Sequence, residues 1–397
     1  MDLSNKAKQI NPSITLEITA KAKELKEAGI DVVSFGAGEP DFNTPNNIIK
    51  AAVRAMEEGK TKYTPTSGIL DLRKAICYKF KNDNGLLYNP SQIVVSTGAK
   101  QSLANAFLGI LNEGDEVIIP VPYWVSYPEL VKLADGVPVF VNTLKKNDYK
   151  YTIEDLKKVV TNKTKAILIN SPNNPTGSIY SREELIEIAE FAKENNLIII
   201  SDEIYEKLIY DNKEHISIAS LSEDAYNRTI VINGLSKSYA MTGWRVGYSA
   251  SSEEIAKLMS SIQSHVTSNI NSISQYAAIE ALTGPQDSIK AMIEAFEKRR
   301  NYMINRISKI EGVSYIKPRG AFYIMVYIGD FYGKTIGDTL IKSSLDFSKS
   351  ILEEEKVAVI PGIAFGLDQY IRLSYATSME IIQEGLDRLE SYLKKLK

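Results

Sequence analysis

The chain contains the stretch SKSYAMTGWR at residues 236–245, shortly after an apolar β-type run at residues 229–232. A lysine at the carboxyl end of a buried strand loses hydration, which favours its neutral amine and makes Lys237 a nucleophile toward carbonyl groups. Arg245 carries a permanent charge and a planar set of donors that suits phosphate or carboxylate. A nucleophilic lysine near an anion-binding arginine is typical of pyridoxal phosphate chemistry, which we therefore predict at Lys237.

Other apolar runs of β-type composition also end in polar or turn-forming residues, and most are followed by a helical pattern. Buried strands that alternate with helices predict an α/β fold with a mostly parallel central sheet flanked by helices. Ligands of such sheets bind outside the carboxyl ends of the strands, so we expect the polar residues there to form one site. The runs are residues 92–96, 116–120, 165–170, 197–201 and 228–233.

The length of 397 residues predicts two domains, because single hydrophobic cores seldom grow past about 250–300 residues. The C-terminal third differs from the rest of the chain. A helical stretch at about 286–310 is followed there by short strands, including residues 321–327 and 370–375. We expect the helix to connect a large domain to a smaller one.

The charge balance and the scarcity of metal-binding side chains argue against several classes of protein. With 47 basic and 49 acidic side chains, the formal net charge is −2, and this composition does not indicate binding to nucleic acid or an anionic membrane. The single cysteine, Cys77, excludes an internal disulfide framework and a thiolate zinc cluster. It lies in the amphipathic stretch 72–80 and is predicted to be a core thiol. Two histidines, His215 and His265, leave little for a metal site, and we expect none.

The sequence also has no recognisable targeting or membrane segment. Residues 1–8 are polar and lack the apolar region of a secretory signal. The longest apolar run, residues 321–328, is far shorter than a membrane-spanning helix of about 20 residues. We therefore predict a cytoplasmic protein.

Two isolated polar residues indicate a ligand, although each has a simpler explanation. Asp202 follows the apolar run 197–200, where an unpaired carboxylate is costly to bury. A protonated pyridine nitrogen would be a suitable partner, and the alternative is a helix N-cap. Arg372 has apolar neighbours on both sides, and a buried guanidinium needs a carboxylate or phosphate. The alternative for Arg372 is the exposed face of an edge strand.

Two turns complete the set of candidate segments. Residues 97–100, TGAK, connect a predicted strand to a helix, so exposed amides at the helix N-terminus can bind an anion. Residues 173–177, NNPTG, consist largely of turn formers. Each segment taken alone is more typical of an ordinary turn than of a ligand site.

The order of these motifs resembles that of the class I aminotransferases, the aspartate aminotransferase family. The match is carried by GLSK at residues 234–237 and RVG at 245–247, and by the Asn-Pro turn that precedes Asp202. It extends from Pro12 to about Thr377.

The resemblance implies a domain organisation and an oligomeric state. It places a large cofactor-binding domain at residues 46–285, and a connecting helix with the small domain at 286–397. An N-terminal arm at 1–45 forms part of that small α/β domain, which is therefore made from both chain ends. Tyr63 matches a tyrosine that reaches the cofactor phosphate of the neighbouring subunit, which implies a homodimer with composite active sites.

The resemblance also assigns the candidate residues to pyridoxal 5′-phosphate. Asp202 would hold the ring nitrogen, and Tyr205 would tune the ring oxygen. The implied cofactor-binding residues are Gly98, Ala99, Lys100, Trp124, Asn174, Asp202, Tyr205, Lys237, Arg245 and Tyr63.

A second set of implied contacts concerns the substrate. Arg372 would clamp the α-carboxylate, with Gly38, Asn174 and Trp124 beside it. Lys100 departs from the small hydroxyl residue of the best-studied subgroup. It resembles a mostly bacterial subgroup in which this lysine faces the distal carboxylate of the substrate, so it has two candidate roles, at the phosphate or at the substrate.

The leading functional prediction is amino transfer from L-aspartate to 2-oxoglutarate, which gives oxaloacetate and L-glutamate. Aromatic, prephenate, alanine and kynurenine aminotransferases are alternatives on the same fold, and a C–S lyase would use the same cofactor. Asn11 stands where relatives that aminate prephenate carry a lysine, which argues against prephenate. A regulator that senses the cofactor is not expected, because the match begins too near residue 1 for a preceding helix-turn-helix.

Overall fold

The computed structural model describes residues 1–397. Its helices are α1 (Asn5–Lys8), α2 (Ile14–Glu27), α3 (Asn46–Glu57), α4 (Leu70–Asn84), α5 (Ala99–Ile110), α6 (Ser126–Leu133), α7 (Ile153–Lys157), α8 (Arg182–Glu194), α9 (Glu223–Arg228), α10 (Glu253–Val266), α11 (Ser272–Thr283), α12 (Asp287–Ile307), α13 (Ser344–Glu354) and α14 (Met379–Lys395). Its strands are β1 (Val33–Ser34), β2 (Ile93–Thr97), β3 (Glu116–Val121), β4 (Val137–Asn142), β5 (Thr164–Asn170), β6 (Ile198–Asp202), β7 (Thr229–Gly234), β8 (Val246–Ala250), β9 (Ser314–Ile316), β10 (Tyr323–Tyr327), β11 (Thr335–Ile336), β12 (Thr339–Leu340), β13 (Val357–Ala358), β14 (Ile360–Pro361) and β15 (Tyr370–Ser374).

A seven-stranded sheet forms the centre of the larger domain, in the order β2-β8-β7-β6-β5-β3-β4. Neighbouring strands from β7 to β4 are parallel, whereas β8 runs antiparallel to both of its neighbours, β2 and β7. The predicted α/β fold with a mostly parallel central sheet is confirmed.

Both faces of this sheet are buried. Ile167 and Ile199 pack into one cluster of core residues, and their sequence neighbours Leu168 and Ile200 pack into another. A strand that is covered on both faces needs apolar side chains at successive positions. Each such side chain contributes about 1.5–3 kcal/mol when it is fully buried. For this reason the strands appear in the sequence as unbroken apolar runs.

Three parallel strands end at the same edge of the sheet. β5 ends at Asn170, which pairs with Asp202 at the end of β6, and Asp202 pairs with Ile232 near the end of β7. The polar residues that follow the apolar runs therefore meet at one edge, as the sequence predicts.

Helix α8 begins at Arg182 because its N-terminus carries a complete capping box. The Ser181 hydroxyl accepts a hydrogen bond from the Glu184 N–H, and a carboxylate oxygen of Glu184 accepts one from the Ser181 N–H at 2.7 Å. Both unsatisfied donors are thereby paired, which fixes the first residue of the helix.

The smaller domain contains segments from both chain ends. Its antiparallel sheet has the order β14-β15-β10-β9, and Val33 of β1 pairs in parallel with Val357 of β13. Phe35 packs against α14 so closely that a side chain on Gly385 would meet its ring at 2.4 Å. The predicted smaller domain made from both chain ends is thus confirmed as part of the fold class. The domain boundaries after residues 45 and 285 stay predictions.

Helix α12 corresponds to the predicted connecting helix. None of the helices combines the length and apolar character that crossing a bilayer requires. Cys77 is half-buried on α4 and packs against the core cluster that contains Leu72 and Ile76.

Candidate active site

A cleft of about 430 Å³ lies at the carboxyl edge of the central sheet, where residues of the chain's N-terminal part approach it. Most of the predicted site residues line it: Gly38, Ala99, Lys100, Trp124, Asn174, Asp202, Tyr205, Lys237, Arg245 and Arg372. Tyr63 does not line the cleft of its own chain; its side chain is 93% exposed.

Lys237 lies in the loop after β7, and its ammonium donates a hydrogen bond to the carbonyl oxygen of Gly38. Burial above all, together with the charges of Arg245 and Arg372, lowers the pKa of Lys237 to about 8, although Glu39 and Asp202 act in the opposite direction. A lysine with a pKa near 8 provides an appreciable fraction of neutral amine at mildly alkaline pH, which a nucleophile requires.

Asp202 is buried at the end of β6, and both of its hydrogen-bond partners are neutral. Its Oδ2 accepts a bond from the Tyr127 hydroxyl at 2.7 Å, and its Oδ1 accepts one from the Ile204 N–H at 3.2 Å. Burial raises its pKa to about 6, although the two hydrogen bonds and Lys237 act in the opposite direction. A carboxylate held in this way is poised to pair with a cationic ligand group.

The residues after Asp202 form a turn and not a helix. The helix N-cap explanation for Asp202 is therefore wrong, because no helix follows it. Tyr205 lies in the same turn, and its hydroxyl is hydrogen-bonded to that of Tyr323 at 3.0 Å. Both tyrosines line the cleft.

One anion-binding corner is formed by the N-terminus of α5 together with Arg245. Gly98 precedes the helix with φ 82°, and the first N–H groups of a helix lack intrahelical partners. A Cβ placed on Gly98 would lie 2.5 Å from Nη2 of Arg245, and one on Gly247 would lie 2.1 Å from the amide nitrogen of Ala99. Both glycines are thus required for this close approach of backbone and guanidinium.

A second anion-binding corner surrounds Arg372. Its guanidinium carbon lies 4.2 Å from the Tyr323 ring centroid and 5.0 Å from that of Phe365. Nη1 donates to Oδ1 of Asn174 at 3.1 Å and Nη2 to the carbonyl oxygen of Gly36 at 3.4 Å, whereas Nε is buried without a partner. A buried guanidinium that no carboxylate of the chain neutralises is a site for an anionic ligand.

The alternative placement of Arg372, on the exposed face of an edge strand, is wrong. Strand β15 lies between β14 and β10, and the residue is 4% exposed. The sequence around Arg372 could not show this, because the strands on either side of β15 are contributed by other segments of the chain.

Lys100 is a cation of the cleft that forms no ion pair with an acidic side chain. Its ammonium lies 4.9 Å from the centroid of the Trp124 ring. Burial of the amine and then the charge of Arg245 lower the pKa of Lys100. The Trp124 ring packs edge-on against Tyr127, with centroids 5.3 Å apart.

Several residues of the cleft are absent from the sequence-based set. Asn170 accepts a bond from the Asn174 N–H at 2.8 Å and donates one to the Asp202 carbonyl oxygen at 3.0 Å, so it joins two predicted residues. Tyr127 and Tyr323 were also missed. The Tyr127 hydroxyl is hydrogen-bonded to Asp202, and the Tyr323 hydroxyl to that of Tyr205. Asn170, the polar residue that ends a strand, is the one that the strand pattern could have identified.

The chain matches the model of the family described as aminotransferase class I and II over residues 30–389. It is 53% identical over 392 residues to an aspartate aminotransferase of Bacillus sp. (strain YM-2), with 99% of each chain covered. The crystal structure of the aspartate aminotransferase of Rhizobium meliloti superposes with a TM-score of 0.96 at 40% identity, over 100% of both chains. The Thermus thermophilus aspartate aminotransferase with maleate superposes with a TM-score of 0.92 at 40% identity, over 98% of this chain and 99% of that one.

Proposed function

Because the chain belongs to the class I and II aminotransferase family, we propose that it transfers the amino group of L-aspartate to 2-oxoglutarate, with pyridoxal 5′-phosphate as cofactor. The products are oxaloacetate and L-glutamate. The observation that carries this proposal is one cleft that contains an amine of lowered pKa, Lys237, between two separate anion-binding corners. One corner suits a cofactor phosphate and the other a substrate carboxylate.

The residues of the cleft fit this cofactor. Asp202 offers a buried carboxylate with neutral partners to a protonated ring nitrogen, and the α5 N-terminus with Arg245 offers donors to a phosphate. Trp124 presents an aromatic wall, and Asn174 and Tyr205 present polar groups to a ring oxygen. Bound pyridoxal phosphate supplies an aldehyde carbon for amine exchange and a ring that withdraws electrons from the substrate α-carbon.

The chain's own residues bind the substrate and move its proton. Arg372 receives the α-carboxylate, since its Nε is free to donate and Nη1 is already oriented by Asn174. The substrate is thereby held with its α-carbon toward Lys237. Once its amine is free, Lys237 removes the α-proton and returns it on the cofactor side, as general base and then general acid.

The preference for a dicarboxylic donor rests on Lys100. Lys237, Arg245 and Arg372 already have roles, and Lys100 is the cation of the cleft that is left without an acidic partner. Its ammonium lies against the Trp124 ring, which keeps it within the cleft. The Thermus thermophilus relative was solved with maleate, a dicarboxylate. These two observations support a distal carboxylate at Lys100 and, with it, an acidic amino donor.

A steady-state screen of aspartate, alanine and phenylalanine as donors, with 2-oxoglutarate as acceptor, tests the assignment. We expect aspartate with 2-oxoglutarate to give the highest kcat/KM and to release oxaloacetate without ammonia. Release of pyruvate and ammonia from a β-substituted donor would instead identify a lyase. Prephenate is expected to be a poor acceptor, because the family resemblance implies a lysine at position 11 for that substrate. The neutral Asn11 stands there and donates from its amide and its N–H to Glu129, at 3.2 and 3.1 Å.

In the same screen, Lys100→Ser should reduce the preference for acidic donors by about tenfold to a hundredfold, because a lost charge-assisted hydrogen bond is worth roughly 1.5–3 kcal/mol. The KM for aspartate should rise, while that for alanine changes little. If Lys100 binds the phosphate instead, cofactor affinity falls and all donors lose alike. Equal losses would therefore remove the role of Lys100 in substrate recognition.

We further propose a homodimer with composite active sites. Tyr63 is 93% exposed, and α3, the helix before it, exposes apolar side chains at Ile49, Val53 and Met56. These three lie on one face of the helix, which is typical of a surface that a second copy covers. Tyr63 cannot serve the cleft of its own chain, but a second copy could bring it to the phosphate corner of the other subunit.

Subunit mixing tests this arrangement. Lys237→Ala chains and Tyr63→Ala chains, each impaired alone, should regain activity when they are unfolded and refolded together. A hybrid dimer then has one site with both residues intact, so turnover should reach on the order of a quarter of the wild-type value after random pairing. No gain over the sum of the separate variants would show that Tyr63 serves no neighbouring site.

A further inference from the structure

A group of buried ionisable side chains lies behind the turn that carries Asp202 and Tyr205. Lys79 on α4 forms an ion pair with Glu206, and His215 Nε2 lies 2.9 Å from Oε2 of Glu203. We call Lys79, Glu203, Glu206 and His215 the rear cluster. None of the four lines the cleft.

The turn after β6 presents one set of side chains to the cleft and another to the rear cluster. Asp202 and Tyr205 line the cleft, whereas the residue after each of them, Glu203 and Glu206, points into the rear cluster. The Glu203 N–H donates to the Ile232 carbonyl oxygen at 2.8 Å, and the Glu206 N–H to the Glu203 carbonyl oxygen at 2.9 Å. A displacement on the rear side would therefore move the two side chains on the cleft side.

Every polar atom of the two rear carboxylates has a partner. Oε1 of Glu203 accepts bonds from the hydroxyls of Ser201, at 2.9 Å, and Ser217, at 2.7 Å. Oε2 of Glu206 accepts a hydrogen bond from the amide nitrogen of Asn84 at 3.0 Å. The amide oxygen of Asn84 in turn accepts a hydrogen bond from the Lys79 ammonium at 2.7 Å. Buried ionic groups gain little stability over apolar ones, but a network in which each polar atom is paired favours the one arrangement that keeps all of its hydrogen bonds.

The carboxylate of Glu206 in the rear cluster has a cationic partner within the chain. Burial would raise the pKa of Glu206, but Lys79 and then His215 outweigh it and lower the pKa to about 2, so this carboxylate stays ionised near neutral pH. Ligand atoms of Glu203, Glu206 and His215 lie within 4.8 Å of one another, as in a metal site. The Lys79 ammonium already provides the cation there, and we assign no metal to the cluster.

We propose that the four residues of the rear cluster are positioning residues, which fix the turn so that the Asp202 carboxylate and the Tyr205 hydroxyl meet the cofactor ring. The inference rests on the proposed function, because Asp202 and Tyr205 serve the cofactor there. Arg372, Lys100 and Asn174 lie on other elements. Changes in the rear cluster should therefore affect cofactor affinity and kcat, and leave substrate KM nearly constant.

The double variant Lys79→Met/Glu206→Met tests the proposal by replacing the ion pair with apolar side chains. Its fold should be retained, as judged by thermal unfolding of the apoprotein. We expect the cofactor dissociation constant to rise, and kcat to fall, by about tenfold to a hundredfold, the usual effect of a small misplacement of catalytic groups. The matched control is Lys150→Met, which removes a partly buried ion pair to Glu184 at 2.6 Å, away from the turn and the cleft, and should leave these values unchanged.

A pair of His215 variants decides the matter if the double variant does not fold. His215→Gln keeps a hydrogen-bond donor for Glu203 and should retain cofactor affinity. His215→Leu removes the donor, so cofactor affinity should fall and the pH at which the visible absorbance of the bound cofactor changes should shift. Wild-type affinity and kcat in a folded double variant or in His215→Leu would overturn the proposal, as would equal losses in Lys150→Met. Cofactor affinity is measured by titrating the apoprotein. An inactive wild type would therefore refute the proposed function and still leave the rear cluster testable.

Discussion

Replacing Lys237 by alanine is expected to abolish amino transfer and to leave the fold intact. The amine is the group in the cleft that combines a pKa lowered to about 8 with a position between the two anion-binding corners. Loss of a positioned proton-transfer group alone costs about a hundredfold to ten-thousandfold in rate. Loss of the covalent attachment of the cofactor adds to this. The measurements are turnover with aspartate plus 2-oxoglutarate and the visible absorbance of the bound cofactor.

Two controls separate this effect from a general disturbance of the cleft. Lys100→Ser also removes a cleft lysine but should keep turnover with alanine. Small primary amines added to Lys237→Ala should restore part of the proton-transfer rate, because the space left by the side chain admits them. Near-normal turnover of Lys237→Ala without added amine would contradict the role given to this residue.

The central sheet and the residues at its edge could be predicted because the relevant information is local. A strand that is buried on both faces appears as an apolar run, and the polar residues that follow it mark the edge where ligands bind. Asp202 and Lys237 were found in this way. Burial then accounts for the pKa shift of each, upward for the carboxyl and downward for the amine.

The remaining parts of the site depend on contacts between distant segments. Tyr127 reaches Asp202 from α6, and Tyr323 reaches Tyr205 from β10. Neither tyrosine stands out locally, since an aromatic residue in an apolar stretch is usually core. The rear cluster joins α4 to the turn that follows β6, and only the packing of the two segments shows that Lys79 faces Glu206.

Asp202→Asn is the second change with a large expected effect, because it removes the charge and keeps the shape. The amide oxygen can still accept the hydrogen bond from the Ile204 N–H, and the amide nitrogen can donate to the Tyr127 hydroxyl oxygen, so the turn and the fold should persist. A neutral amide cannot stabilise a protonated ring nitrogen, so the α-proton step should slow by orders of magnitude. Cofactor should still bind, and single-turnover kinetics measure the step directly.

The pH dependence of cofactor affinity provides an independent check on the same carboxylate. With a pKa raised to about 6, chiefly by burial, Asp202 is protonated in the apoprotein below that pH and must lose its proton before it can pair with a cationic ring. Wild-type affinity should therefore fall by about tenfold per pH unit below about pH 6, whereas that of Asp202→Asn should not follow this titration. Single-turnover rates of Asp202→Asn within about threefold of wild type, under about 1 kcal/mol of barrier, would show that this charge does not assist the reaction.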